Sequence, residues 1–467
     1  MASIYIETFG CQMNEADSQF IAEKAAAAGY AIAEKPHEAS VVLLNTCTVR
    51  DNAERRAYGR MQHFKTLKSA DPGMKLVVTG CLAEQDRDRM QKVAPHVDAV
   101  FGTKELGELA DALRTWRPEF VDDEISEERA LLLPMGGQPD CITNAFSHLR
   151  AYVTVQRGCS YYCTFCIVPH VRGRFDHRPM REILVEVRQR LAEGAREVTL
   201  VGQTVNAYKD PATGADFGEL LGTVAQCDGV ERLSFLTSHP KDFTEKLVLD
   251  MTRIPQLNPR LHLPVQSGSN PVLRRMNRKY TIEAYLEKVA LARRYLAGWA
   301  LTTDIIVGFP GESEEDFQKT LALCAENMFA QAYMFTYSPR RGTPASHWEQ
   351  VDPSQASQRL RTLAAAQDRS CRTFHESKVG SVVRALVQGP SRKDPTKLAA
   401  KTTDNMTVIA PLPSQLDAAS FANEPWIDVR VEAGYTWGST GTMLSRSHAY
   451  RAVGTSLPGP TLDLITL

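Results

Sequence analysis

A chain of 467 residues is too long for one ordinary domain and, at about 100 to 200 residues each, implies two to four. With 43% hydrophobic and 23% charged residues it is composed like a soluble globular protein, and no apolar run approaches the roughly 20 residues that span a bilayer, which argues against a membrane role. The formal net charge of -1 predicts no polyanionic partner, so any nucleic-acid surface has to come from local clusters.

The opening residues, Met1-Ala2-Ser3-Ile4-Tyr5-Ile6-Glu7, lack the basic segment and apolar stretch of a secretory signal, so a cytoplasmic location is expected. In that reducing compartment the ten cysteines are not expected to pair as disulfides, and the six with a pattern read as metal-binding or catalytic. Three of them belong to a repeat in the first third of the chain: a β-rich run, a cysteine at or just after its end, then a helical stretch. Ile4 to Thr8 leads to Cys11, Val41 to Asn45 leads to Cys47, and Lys75 to Thr79 leads to Cys81, spacings of 36 and 34 residues. Asn14 is expected to cap a helix reaching Ala28, and a second helix is expected after Cys47. Strand and helix alternating at this spacing predict βαβ units and a parallel sheet, with Val97 to Phe101 as a fourth strand. Parallel strands place their C-terminal ends along one sheet edge, where α/β folds gather ligands, so Cys11, Cys47 and Cys81 are expected to converge there. The plainer alternative is three small buried hydrophobes.

Residues 118–147, with Asp122-Asp123-Glu124 and Pro134-Met135-Gly136-Gly137, have no sustained periodicity and read as a linker between an α/β domain over 1–117 and a second domain over 148–375. The second domain has six β-like runs: Tyr152 to Gln156, Val198 to Gly202, Leu233 to Leu236, Leu261 to Val265, Thr302 to Val307 and Ala332 to Tyr337. Helical stretches separate them, at Arg178 to Glu193, Asp242 to Met251, Thr281 to Tyr295 and Glu314 to Asn327. Six βα units predict a partial (β/α)6 barrel of TIM type, three-quarters of the eightfold one and open at the side. Over 376–446 five short β-rich runs predict a small antiparallel β-barrel of the kind that binds oligonucleotides, followed by a tail over 447–467.

The sharpest signal is Cys159-Ser160-Tyr161-Tyr162-Cys163-Thr164-Phe165-Cys166, just after the first barrel strand. Three thiolates from one loop suit a four-iron cube, and they leave one iron without a protein ligand. That iron can chelate the amino and carboxylate groups of S-adenosylmethionine and bring its sulfonium up for reductive cleavage to a 5′-deoxyadenosyl radical. Zinc is the competing occupant, although structural zinc sites use four ligands and only His170 offers a fourth.

This triplet resembles the signature of the radical S-adenosylmethionine superfamily. Thr8-Phe9-Gly10-Cys11-Gln12-Met13-Asn14, Asn45-Thr46-Cys47-Thr48-Val49-Arg50, Thr79-Gly80-Cys81-Leu82-Ala83, Gly202-Gln203-Thr204-Val205-Asn206-Ala207-Tyr208, His262 to Ser269 and Gly308-Phe309-Pro310-Gly311-Glu312 narrow the resemblance to the methylthiotransferases. It is strongest to the branch acting on N6-isopentenyladenosine beside the anticodon of tRNA. The resemblance implies two 4Fe-4S clusters, a radical one on Cys159, Cys163 and Cys166 and an auxiliary one on Cys11, Cys47 and Cys81. It implies two molecules of S-adenosylmethionine per turnover, one giving a methyl to sulfur at the auxiliary cluster, the other a radical that takes hydrogen from C2 of the adenine. No protein side chain is expected to be catalytic. Gly202, Gln203, Gln266, Gly308 and Glu312 are implied as cofactor contacts.

Basic residues cluster at His170, Arg172, Arg174, His177, Arg178 and Arg181, and at Arg274, Arg275, Arg278 and Lys279. Solvated faces are the plain reading, with Arg172, Arg174, Arg275 and Lys401 as candidate RNA contacts. The C-terminal barrel is similar to a small RNA-binding (TRAM-like) domain, but reads Ala400-Lys401 where Gly-Arg is common, and lysine lacks the planar fork suited to phosphate. Gln203-Thr204-Val205 likewise departs from the commoner Gln-Asn-Val. A reductant, a sulfur source and a monomeric state are further expectations. Rival readings are methylthiotransferases for threonylcarbamoyladenosine or a ribosomal-protein aspartate, a non-catalytic electron carrier, and a tRNA-binding protein with structural clusters.

Overall fold

The computed structural model describes residues 2–49, 51–116, 149–326, 329–413, 416, 418–422 and 424–447. The expected linker over 118–147, with Cys141, and nearly all of the expected tail lie outside the described residues. Two compact units are present, one of Met1–Thr213 with Ser338–Trp348, the other of Gly214–Tyr337 with Glu349–Leu467. No described helix is long and apolar enough to cross a membrane.

The first unit opens with β1 (Ser3–Thr8), α1 (Gln12–Ala27), β2 (Ala31–Ile32), β3 (Val41–Thr46), α2 (Asp51–Ala70), β4 (Lys75–Gly80), α3 (Cys81–Val93), β5 (Ala99–Phe101) and α4 (Leu106–Thr115). The sheet is parallel with order β2-β1-β3-β4-β5. It has one strand more than the sequence predicts, because Ala31–Ile32 is too short to carry a pattern of its own. β3 is buried along its whole length, as expected of a strand covered on both faces. Val42 and Leu44 pack against Ala57, Met61 and Phe64 of α2, and Val41 and Leu43 against Ile21, Ala22 and Ala25 of α1. Each fully buried Val, Leu, Ile, Met or Phe among them contributes about 1.5–3 kcal/mol.

Asn14 does not cap α1. The cap position is Cys11, and Asn14 sits in the first turn, fully buried. Its amide donates to the carbonyls of Phe9 and Thr46, both at 2.9 Å. The carbonyls at two strand ends outcompete the helix's own amides for this side chain.

The same unit continues through β6 (Arg150–Thr154), β7 (Gln156–Arg157), β8 (Asp176–His177), a helix Met180–Ala192 and β9 (Glu197–Val201). β6 and β9 pair in parallel, and β7 and β8 form an antiparallel ribbon that closes the base of the loop carrying Cys159, Cys163 and Cys166.

The second unit contains β10 (Arg232–Phe235), β11 (Arg260–His262), β12 (Ala300–Val307) and β13 (Gln331–Thr336), the last three joined in parallel. With β6 and β9 of the first unit, these strands coincide with the six β-like runs of the sequence. Helices over Phe217–Ala225 and Pro353–Glu376 were not predicted, although Asp216 with Glu219 forms a capping box and Asp352 caps ahead of Pro353. Cys227, Cys324 and Cys371 are buried, as expected of structural cysteines.

β14 (Val382–Ser391), β15 (Asp394–Thr402), β16 (Thr407–Pro411), β17 (Trp426–Tyr435) and β18 (Gly438–Ser447) form the expected closed barrel, in the order β14-β15-β16-β18-β17. It is not wholly antiparallel, because β16 and β18 run parallel. A closed ring of five strands cannot alternate direction all the way round, so one neighbouring pair must run the same way.

Candidate metal centres

In the strand order β2-β1-β3-β4-β5 the chain reverses direction between β1 and β3, and a doubly wound sheet opens its ligand crevice at that switch point. Cys11 and Cys47 follow those two strands. Cys81, after β4, begins α3, and Cys11 stands at the N-terminus of α1. The three cysteines follow the ends of neighbouring parallel strands, and a Cβ placed on Gly10, beside Cys11, would meet the Cys47 sulfur at 2.8 Å. Val49 donates its N–H to the Cys47 sulfur at 3.3 Å. Burial pushes the Cys81 thiol up to about 12, against the pull of the Arg172 guanidinium.

Arg172 corrects an expectation. Instead of meeting RNA it is 9% exposed, with Nε donating to the Cys81 sulfur at 3.2 Å and Nη2 to Asn14 Oδ1 at 3.2 Å and Asp17 Oδ2 at 2.7 Å. Burial opposes its charge, but Asp17 and the thiols outweigh that and raise its pKa. Asp17 also faces Arg157 at 3.3 Å. Asp17 was not anticipated as a site residue, and Asn14 only as a helix cap and part of a motif. Their signal was available: Asn14, Asp17 and Ser18 recur at helical spacing, and all three are buried.

The Cys159–Cys166 loop lies between Arg157 and Arg172. Cys159 N–H donates to the Gly173 carbonyl and Cys166 N–H to the Cys163 carbonyl, both at 3.0 Å. Cys163 is buried, and Cys159 and Cys166 are half-buried. The Cys159 sulfur is 3.7 Å from the hydroxyl of Thr204, the residue that departs from the common motif. Among the described residues no three His, Cys, Asp or Glu side chains close on a single ion.

Gly158 has φ +71°, and a Cβ there would meet the Arg174 carbonyl oxygen at 1.9 Å. Gly158→Ala is therefore expected to open this loop and remove about half of the iron taken up on reconstitution. Iron and sulfide analysis with visible absorbance checks this; full loading would refute it.

Of the expected cofactor contacts, Gly202 lies against Gln156, whose carbonyl oxygen a Cβ would approach to 2.9 Å. The Oε1 of Gln203 is shielded from solvent and takes no hydrogen bond from a described residue. In the other unit, Gln266 is buried at φ +68°, a conformation rare outside glycine and typical of functional sites, and is held by a bridge to Ile305. Glu312 does not face outward. Its carboxylate accepts the Gly308 N–H at 2.6 Å and pairs with buried Arg359 at 2.9 Å. Burial raises it to about 6, against the opposing pull of Gly308 and Arg359. It braces the Gly308 turn.

The basic clusters are only partly solvated. Arg178 bonds the Thr154 carbonyl and Glu186, and buried Arg278 bonds the Pro264 carbonyl. Arg174 and Arg275 are exposed. The Lys401 ammonium bonds Thr407 Oγ1 at 3.0 Å.

Residues 3–102 match the family described as Uncharacterized protein family UPF0004, and residues 153–324 match the Radical SAM superfamily. A tRNA-2-methylthio-N(6)-dimethylallyladenosine synthase of Moorella thermoacetica is 39% identical over 448 residues, covering 94% of this chain and 98% of that protein. A synthase of the same name from Burkholderia ambifaria is 38% identical over 464 residues, covering 94% and 97%. Among solved structures, a radical S-adenosylmethionine methyltransferase of Kitasatospora setae aligns with a TM-score of 0.53 at 15% identity, covering 74% of this chain and 77% of that one, a likeness of fold alone.

Proposed function

The chain belongs to the tRNA-2-methylthio-N(6)-dimethylallyladenosine synthase family of radical S-adenosylmethionine enzymes, and on that footing we propose that it inserts sulfur and a methyl group at C2 of N6-isopentenyladenosine beside the anticodon, using two S-adenosylmethionines per turnover. The observation that carries the reading is the presence in one compact unit of two cysteine triplets, with the loop of the second tied to the first helix through Asp17.

Each triplet fits a cluster: the donors are thiols, and three of them would leave one iron of a four-iron cube without a protein ligand. Cys159, Cys163 and Cys166 would hold the radical cluster, and Cys11, Cys47 and Cys81 the auxiliary one. When bound, the first supplies the electron that cleaves S-adenosylmethionine and the second the place where sulfur waits. The chain's own contribution is placement. An aromatic C2–H bond offers no purchase to a side-chain base, so hydrogen has to be removed where sulfur is already close.

Gln203 Oε1, shielded and without a donor among the described residues, is suited to accept from the methionyl ammonium. Gly202, Gln266 and the Gly308 turn complete the proposed cofactor contacts, with Glu312 acting behind the turn. On the C-terminal barrel, Tyr435 and Trp437 are stacked at 7° and are 38% and 53% exposed, a surface on which bases can stack. Arg174, Arg275 and Lys401 are proposed to meet phosphates. The enzyme is proposed to be a cytoplasmic monomer served by a separate reductant and a sulfur source.

The test is anaerobic reconstitution with iron and sulfide, incubation with isopentenylated tRNA, S-adenosylmethionine and dithionite, and mass spectrometry of the nucleosides. The 2-methylthio nucleoside is expected. Its absence, with product on threonylcarbamoylated tRNA instead, would overturn the substrate assignment.

A further inference from the structure

Two arginines flank the loop of the second cysteine triplet, and both turn to a single carboxylate on the helix that starts at the first triplet. Arg157 meets Asp17 Oδ1 at 3.3 Å, and Arg172 meets Asp17 Oδ2 at 2.7 Å. Asp17 and Arg172 are nearly excluded from water, with side chains 2% and 4% exposed. Two guanidinium charges against one carboxylate leave one positive charge over. Arg172 directs it inward, its Nε 3.2 Å from the Cys81 sulfur, while Asn14, which it also bonds, lies 3.7 Å from the Cys11 sulfur. Val171, next to it in sequence, packs with Ile167 against Cys81, and Thr103 donates its hydroxyl to the Val171 carbonyl, so the backbone behind the guanidinium is fixed as well.

We propose that Arg172, held by Asp17, is the positioning residue of the auxiliary site: a fixed buried cation that balances the thiolates of Cys11, Cys47 and Cys81 and keeps them in register with the Cys159–Cys166 loop. This rests on the two-cluster reading above. A cluster gains negative charge on reduction, and a buried cation close to its ligands favours the reduced form, because Coulomb attraction is poorly screened away from water. A guanidinium suits the place because it stays charged when buried and its planar fork can serve sulfur and carboxylate together.

The test is a redox titration of the reconstituted holoenzyme followed by electron paramagnetic resonance, with the Cys159, Cys163 and Cys166 triple alanine variant identifying the auxiliary signal. Arg172→Gln is expected to move the auxiliary midpoint to more negative potential, Arg172→Lys to recover most of the native midpoint, and Arg114→Gln, a charge removed from the surface of α4, to leave the midpoint unchanged. If Arg172→Gln loads no auxiliary cluster, Arg172→Lys decides: loading with a near-native midpoint supports the cation, and failure to load overturns it. An unchanged midpoint in loaded Arg172→Gln also overturns it. If the unsubstituted chain reconstitutes only one cluster, the two-cluster reading falls instead.

Discussion

Cys11→Ala is expected to reduce 2-methylthio product to background while S-adenosylmethionine is still cleaved to 5′-deoxyadenosine; Cys163→Ala is expected to abolish both. The asymmetry follows from what each loop can do alone. Cys163 is one of three thiols in a loop whose closure depends on hydrogen bonds from Cys159 to Gly173 and from Cys166 to Cys163, so its loss leaves two donors for a cube that needs three. Cys11 stands at the start of α1, on the edge of a separate sheet, and its removal leaves the radical loop with its own ligands. Chromatography of 5′-deoxyadenosine and mass spectrometry of the tRNA nucleosides, on the same samples, read out the two activities. Methylthio product from the Cys11 variant would end the two-cluster account.

Arg359→Met is expected to cost about 3–5 kcal/mol in unfolding, because it leaves the Glu312 carboxylate buried without its cation. The Glu312 side chain is 0% exposed and that of Arg359 4%, so water cannot replace the lost partner. The deficit should depend on pH. Burial already raises Glu312 to about 6, above its ordinary 4.5, so the fold prefers the neutral acid and that preference is lost as pH rises through about 6. Without Arg359 the carboxyl climbs further, and the loss of stability should be larger at about pH 8 than at about pH 5. Urea unfolding at the two pH values measures this; an equal deficit at both would show that Glu312 is not the group left unpaired. The Gly308 N–H bonds this carboxylate, so weaker binding of S-adenosylmethionine is expected alongside.

Sequence legibility differed between strands and polar side chains for a physical reason. β3 reads within one residue, Val41 to Asn45 expected and Val41–Thr46 found, because a strand covered on both faces carries a continuous apolar run. β2 was lost because two residues cannot show a period. The helix over Pro353–Glu376 was missed although Asp352 and Pro353 announce it, since its buried face includes Arg359, Gln367 and His375, which do not look like core. Arg172 was misplaced by the same logic, because a basic run reads as surface unless the carboxylate waiting for it is known.

The sequence alone determined the two cysteine triplets, their allocation to a sheet edge and a barrel loop, and the five-stranded barrel that follows, because strand period, cysteine spacing and turn residues are local properties. Tertiary structure alone decided that Asp17 draws Arg157 and Arg172 together beside Cys81, that Glu312 pairs with Arg359, and that β16 must run parallel to β18. These are pairings between residues up to 155 positions apart, and burial makes them obligatory only once the chain has closed around them.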